Sequence, residues 1–312
     1  MAQPPQPPPR FTVVMPVHNH AEYLAEAVRS VRAQTVADWE LIVVDDGSTD
    51  GSGELADRLA AEEPRMRVIH QANAGPAAAR NTALAASTGQ WLTYLDSDDV
   101  WRGDALAAYA DHIAAHPEAQ FLYGYRHRLN EDGSVTELPG QHQDRPTGTA
   151  ELFDRMYLSH LCVCYRRELI DRAGPYDPAL RNCEDYELYL RLSLHCRFEP
   201  IGRVTGLRRR HGRNISRQTG RSRFIEAEVL RRFVERQGGA AVLDPAAVRR
   251  RLSRLYYAAG RQYFRGGYFR RALEAFRAAH RWRRTVKSTA LQVLGTFLLP
   301  LSRRDPHPLP RL

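Results

Sequence analysis

Asp96, Asp98 and Asp99 close the apolar run of WLTYLDSDD, residues 91–99, and place three carboxylates within four residues. Charges this close repel one another unless a cation or hydrogen-bond donors share them. Mg²⁺ and Mn²⁺ prefer oxygen ligands and bind phosphates alongside one or two carboxylates, so the cluster suits a divalent ion that carries a diphosphate. An apolar run bounded by turn formers reads as a buried strand, and open α/β sheets bind ligands just outside the carboxyl ends of such strands. An isolated Asp-x-Asp is more simply a solvated turn that caps the next helix. Here it does not stand alone.

The elements that must position these acids repeat three times before them. Phe11 to Val17 (FTVVMPV) is a strand pattern ending in His18-Asn19-His20, and Leu24, Val28 and Val31 then follow at helical spacing. Asn19 with Glu22 has the form of a capping box. ELIVVDDGSTDGS, residues 40–52, is a strand closed by Asp45 and Asp46 and a Gly/Ser/Asp turn. A third unit runs from Arg67 to His70 and on to Gly75-Pro76, which opens an Ala-rich helix. Strands alternating with helices predict an α/β fold with a mostly parallel, Rossmann-like central sheet flanked by helices. There is no Gly-x-Gly-x-x-Gly and no Gly-x₄-Gly-Lys, which argues against dinucleotide oxidoreductases and P-loop NTPases.

Bulk properties narrow the class further. A chain of 312 residues, 43% hydrophobic, can bury one large or two modest cores, and it has no apolar run of 18 residues to span a bilayer. MAQPPQPPPR lacks the apolar stretch of a secretory signal and reads as a disordered Pro-rich leader over residues 1–10. Four cysteines without zinc spacing suit buried thiols in a reducing cytoplasm. Residues 1–200 hold 18 basic and 30 acidic side chains, against 27 and 6 in residues 201–312, so the C-terminal third is built to meet an anionic surface. Its arginines and aromatics follow helical packing without a nucleic-acid motif, and no nucleic-acid partner is expected.

Five segments, in order, carry a family likeness: Pro16-Val17-His18-Asn19, Asp45 to Asp50, Gly75 to Asn81, Asp96 to Trp101, and Asn182-Cys183-Glu184-Asp185-Tyr186. Over residues 11–220 the chain resembles glycosyltransferase family 2, the inverting GT-A enzymes. The resemblance implies a GT-A fold, an NDP-sugar donor, most simply a UDP-sugar, and a glycan or lipid-linked acceptor. It implies that Pro16, His18, Asn19 and Asp46 hold the base, with Arg80 nearby and Asp96 near the ribose or metal. Asp98 is then a ligand of Mn²⁺ or Mg²⁺. The family often has Tyr where this chain has His18. The chemistry agrees: Asp46 can accept from an imide N–H, which uracil offers and adenine does not.

Downstream, residues 11–120 give way to a second part of the same domain, 121–222. Strands are expected near 120–125, 161–165 and 201–207, with a mobile loop over 130–150. Asn182 is expected to cap a helix whose first turn holds Glu184 and Asp185, where the helix dipole favours a charged carboxylate. The resemblance assigns Asp185 the general base, which accepts the acceptor hydroxyl proton. Glu184, Asp99 and Trp101 complete the set as acceptor-side or supporting residues. In the R-x-H-x-x-N-x-S stretch of residues 209–216, the resemblance places His211 at the metal or diphosphate. Residues 223–312 form a basic helical extension, with a tetratricopeptide-like hairpin over 255–281 turning at Gly266-Gly267. Ala290 to Leu301, too short to span and flanked by arginines, is expected to lie on the inner face of a membrane as a peripheral contact, with a buried domain-packing helix as the alternative.

A sugar-phosphate nucleotidyltransferase would show a Gly- and Lys-bearing loop near residues 11–22, which contain neither. A non-catalytic nucleotide-sugar-binding protein would leave Asp185 without a purpose.

Overall fold

The computed structural model describes residues 9–139, 145–212, 219–284 and 286–303. Residues 1–8 of the Pro-rich leader, the middle of the 130–150 loop, and Asn214 and Ser216 lie outside them. The chain forms two compact units. The first gathers the described residues of 1–148, 157–178 and 195–213, and the second those of 149–156, 179–194 and 214 onward.

The first unit holds the whole sheet. Its strands are β1 (Phe11–Val17), β2 (Trp39–Asp46), β3 (Met66–Gln71), β4 (Trp91–Tyr94), β5 (Val100–Trp101), β6 (Phe121–Leu129), β7 (Val135–Thr136), β8 (Val163–Arg166) and β9 (Phe198–Arg209). They lie in the order β3-β2-β1-β4-β8-β6-β9-β5, and β7 pairs with β6. β3, β2, β1 and β4 are mutually parallel, as the alternating βα units require. β8 then enters antiparallel between β4 and β6, and β5 runs antiparallel to β9, so the sheet is mixed beyond β4. β6 and β9 are parallel to each other and share β4's direction, so the ends of β1, β2, β4 and β9 emerge along one edge.

β1 and β2 are buried almost throughout because helices cover both faces of the sheet. The helix Ala21–Arg32 buries Leu24, Ala27, Val28 and Val31, a stripe at helical spacing, in the core cluster with Val13, Met15, Leu41 and Trp101. Each such side chain removed from water contributes roughly 1.5–3 kcal/mol. The capping box expected at Asn19 and Glu22 does not form. The helix begins after His20 without a side-chain cap, and the Ala21 amide is instead satisfied by Asp50 Oδ2 at 3.0 Å. Asn19, at φ 55°, turns its amide oxygen to Thr49 N at 2.8 Å, so tertiary contact displaces the local cap. Gly75-Pro76 does open the helix Pro76–Ala86.

The second unit is helical. It contains Thr149–Asp154, Glu184–Leu192, Gly220–Arg236, Gly239–Val242, Pro245–Arg265, Phe269–Trp282 and Val286–Phe297. The expected hairpin is present, with Gly266-Gly267 between its arms and Gly267 at φ 77°. Gly260 is required there, because a Cβ would meet the Phe276 ring at 2.5 Å. The residue capping Glu184–Leu192 is Cys183, left-handed at φ 62°, and not Asn182, whose side-chain oxygen lies 3.4 Å from the Cys183 sulfur. The expected boundary at residue 223 falls inside a helix that starts at Gly220, and residues 179–194 pack with the extension. No described helix is long and apolar enough to cross a membrane.

Candidate active site

The loops beyond β1, β2 and β3 knit into one another. Asp46, 3% exposed at the end of β2, accepts from Gln71 Nε2 (2.7 Å) and Ala74 N (2.8 Å) through Oδ1 and from Gly75 N (2.8 Å) through Oδ2. His18 Nδ1 lies 2.9 Å from the Asp46 carbonyl, and Asn73 Nδ2 donates to that same carbonyl at 3.0 Å. Gly47, at φ 70°, permits this turn, since a Cβ there would strike Asn73 N at 2.8 Å. Asn19 N donates to Ser48 Oγ at 3.1 Å and closes β1's end onto the same loop. Burial works to raise the neighbouring Asp45, but hydrogen bonds from Ser48 and His70 outweigh it and hold its carboxyl below the usual range. Pro16, half-buried in register with Val44, brings β1 to this loop, and His18 is exposed at its rim.

The acid cluster lies beyond β4. Ligand oxygens of Asp96, Asp98 and Asp99 all fall within 4.8 Å of one another. Arg80, 5% exposed on the Pro76–Ala86 helix, donates from Nη2 to Asp96 Oδ1 at 2.8 Å. Burial would raise Asp96, and the Arg80 cation more than compensates through its charge and hydrogen bond, so its carboxyl is lowered. Asp99 is pushed well up, first by burial and then by repulsion from Asp98 and Asp96. Its Oδ1 accepts from Arg209 N at 2.8 Å. His211 Nε2 meets Asp98 Oδ2 at 2.9 Å, and the His211 ring stacks on Tyr23 with centroids 4.9 Å apart. Arg209 clamps the same corner, with Nε on the Asp98 carbonyl at 3.0 Å and an ion pair to Glu26 at 2.5 Å.

These contacts arise because β5, directly after the acids, pairs with Gly206 and Leu207 near the end of β9 and carries Arg208 to His211 alongside. Clustered hard oxygen donors are what Mg²⁺ or Mn²⁺ prefers, so the three carboxylates fit such an ion. Trp101 is buried and gives its indole N–H to Leu161 O at 2.9 Å, which makes it a structural pin beneath the cluster. Asp185 and Glu184 stand in the helical unit, in the first turn of Glu184–Leu192; Asp185 Oδ1 accepts from Tyr186 N at 2.7 Å.

Sequence reasoning did not single out Asn73, Tyr23 or His160. His160 sits behind Asp96, its ring 4.3 Å from Tyr94, and burial with the Arg80 cation drives it well below the ordinary histidine value, so it is neutral. Only Asn73 left a local signal, two residues before the Gly75-Pro76 helix start.

The sheet, with its loop donors and acid cluster at one edge, has the GT-A fold. Residues 12–173, more than half of the chain, match glycosyl transferase family 2, and the chain belongs to that family. It is similar to hyaluronan synthase of Pasteurella multocida, 27% identical over 231 residues that cover 74% of this chain and 24% of that synthase. The chain likewise spans 20% and 21% of the length of two other curated relatives. Among solved structures it resembles residues 1–349 of S. aureus TarS in complex with UDP, with a TM-score of 0.65, 17% identity, and coverage of 93% of this chain and 87% of that one. A mannosyltransferase from Pyrobaculum calidifontis in complex with GDP-Man and Mn²⁺ gives a TM-score of 0.57 at 20% identity, covering 94% and 81%.

Proposed function

We propose that this glycosyltransferase moves a sugar from a UDP-type nucleotide donor to a hydroxyl of a glycan or lipid-linked acceptor, with inversion at the anomeric carbon. The observation that carries the reading is the convergence of Asp96, Asp98 and Asp99 with Arg80 and His211 at one edge of the sheet. Asp98 and His211 would hold a divalent ion together with Asp96. When bound, such an ion draws charge from the diphosphate, so the leaving group departs without needing a proton. Asp46 uses three of its four lone-pair directions on the loop, which leaves one acceptor position for an imide N–H. In this reading Pro16, His18 and Asn19 would line the base, and Arg80 would keep Asp96 charged for the ribose or the ion.

Asp185 is the base in this reading. A carboxylate in a helix first turn is stabilised by the N-terminal dipole and can take the acceptor hydroxyl proton as the new C–O bond forms. Glu184, in the same first turn, is assigned to the acceptor in this reading. TarS bound to UDP and the archaeal enzyme bound to GDP-Man and Mn²⁺ are consistent with a nucleotide-sugar donor and an ion, and the hyaluronan synthase likeness with a polysaccharide product. The test is a panel of UDP- and GDP-sugars assayed for Mn²⁺-dependent nucleotide release, with product stereochemistry read by NMR. An α-linked donor should give a β-linked product, and retained configuration would overturn the single-displacement mechanism.

The same reading places the enzyme at an anionic membrane face. Val293, Leu294, Phe297 and Leu301 are 54%, 46%, 77% and 71% exposed, and Arg281, Arg283, Arg284 and Arg303 are exposed on either side of them. Each basic residue at such a surface contributes about 1 kcal/mol, attenuated by salt, and the apolar side chains add a salt-insensitive part. Full-length protein should co-sediment with phosphatidylserine vesicles and be partly released by high salt. Replacing Phe297 and Leu301 together by serine should remove the salt-resistant fraction; unchanged sedimentation would exclude this face as the contact.

A further inference from the structure

The helix that carries Asp185 is fixed by a buried carboxylate two residues further on. Glu187 is 1% exposed, and its two oxygens gather four donors from three residues. Arg191, one turn along, gives Nε to Oε1 (3.0 Å) and Nη2 to Oε2 (2.8 Å). Arg232 Nη2 reaches Oε1 at 3.0 Å and Gln237 Nε2 reaches it at 2.6 Å, both from the C-terminal end of the Gly220–Arg236 helix. The adjacent Tyr186 is held as firmly, its hydroxyl donating to Leu152 O at 2.7 Å on the Thr149–Asp154 helix. Beyond them Thr149 Oγ1 donates to Ser193 O at 3.0 Å. The residues at 186 and 187 therefore lock the first turn to two other helices, and Asp185 precedes both.

A buried carboxylate is costly unless every lone pair is used, and here long-range partners use them. An intrahelical pair with Arg191 alone would satisfy Glu187 without tying its helix to anything. The contacts from Arg232 and Gln237 set where the helix lies and how it is rotated about its axis, and so where the Asp185 carboxylate points. Misplacement of a reacting group by about 1 Å costs up to roughly 10²-fold in rate.

We propose that Glu187, clamped by Arg232 and Gln237, is the positioning residue for Asp185, and that the Gly220–Arg236 helix is thereby a working part of the transferase and not an appendage. The proposal rests on the reading of Asp185 as the base. Its test uses the full-length chain with Mn²⁺ and the UDP-sugar that supports turnover. Glu187→Gln and Arg232→Gln should lower kcat by roughly 10- to 100-fold, with KM for the donor and UDP affinity within about twofold of wild type. Gln237→Met, which keeps size but removes the donor, should lower kcat by about threefold at an unchanged melting temperature, and it serves if the buried charge variants fail to fold. Asp244→Ala, which removes the side-chain cap from the Pro245–Arg265 helix, is the control: it should lower the melting temperature and leave kcat unchanged. Asp185→Asn is measured alongside. If that variant turns over normally, the base assignment falls and the positioning proposal with it. If Asp185→Asn is inactive while the folded Glu187, Arg232 and Gln237 variants keep wild-type kcat, only the positioning proposal is overturned.

Discussion

The two candidate centres of this protein are built in opposite ways. Around Asp98 the first unit assembles a site from the described residues at the ends of β1, β2, β3, β4 and β9, with loops hydrogen-bonded to one another. Around Asp185 the second unit offers one helix first turn, held from behind by Tyr186 and Glu187. A site made from strand ends inherits its precision from the sheet, because strand register fixes where each loop starts. A site on a helix terminus inherits it from whatever holds that helix. The two non-glycine residues with positive φ among the described residues, Asn19 and Cys183, sit one at each centre, where the chain must bend sharply to present its functional groups.

If the comparison is right, lesions in the two centres separate cleanly. Asp98→Ala should abolish transfer and also remove Mn²⁺-dependent UDP affinity in calorimetry. Asp185→Asn should leave UDP affinity intact and lower turnover by about 10²–10⁴-fold. Equal loss of nucleotide binding in both variants would collapse the division into two centres.

Asp46→Asn probes the knitting of the loops. One carboxylate oxygen becomes an NH₂ facing a backbone N–H, so the protein should lose about 2 kcal/mol of stability in urea unfolding, with weaker UDP binding. An unchanged midpoint would mean that the loop is held by Asn73 and Ser48 without it.

The smallest effect concerns His70, whose ring lies between Asp45 (3.1 Å) and Asp57 (3.0 Å) and whose pKa is raised, first by the Asp45 hydrogen bond and then by that from Asp57. A raised folded-state value means that the protonated ring stabilises the fold below the unfolded value of about 6.5, and that this stability is lost as pH rises through the folded value. The ring is half exposed, so the gain is less than about 1 kcal/mol. The stability gap between wild type and His70→Gln should be widest near about pH 5.5 and shrink by about pH 8.5. A gap that widened with pH would reverse the assignment of charge at the β2 end.

Much of the first unit was legible in the residues. β1, β2 and β4 are near-continuous apolar runs closed by polar elbows, and Gly75-Pro76 announced its helix. β6 runs four residues beyond the expected Tyr125, to Leu129, because its register with β9 continues there and buries Leu129 although the sequence turns polar. The local cap expected at Asn19 is displaced for the same reason. A capping pattern states which hydrogen bonds a side chain is able to make locally, and at Asn19 a distant loop offered a better partner.

What the sequence by itself determined is the set of groups: the acids after β4, the Glu-Asp pair, the arginine-rich stretch with His211, and the family to which they belong. Those follow from residue type, spacing and periodicity, which are local properties. What only the tertiary structure decided is which groups meet. Asp98 and His211 lie 113 residues apart and touch because β5 pairs with β9. Arg80 finds Asp96 across 16 residues because its helix packs over β1 and β2. Glu187 finds Arg232 across 45 residues because two helices share a buried polar contact. Strand order and helix packing are settled by the burial of the whole core, to which every segment contributes, so no stretch of sequence read alone contains them.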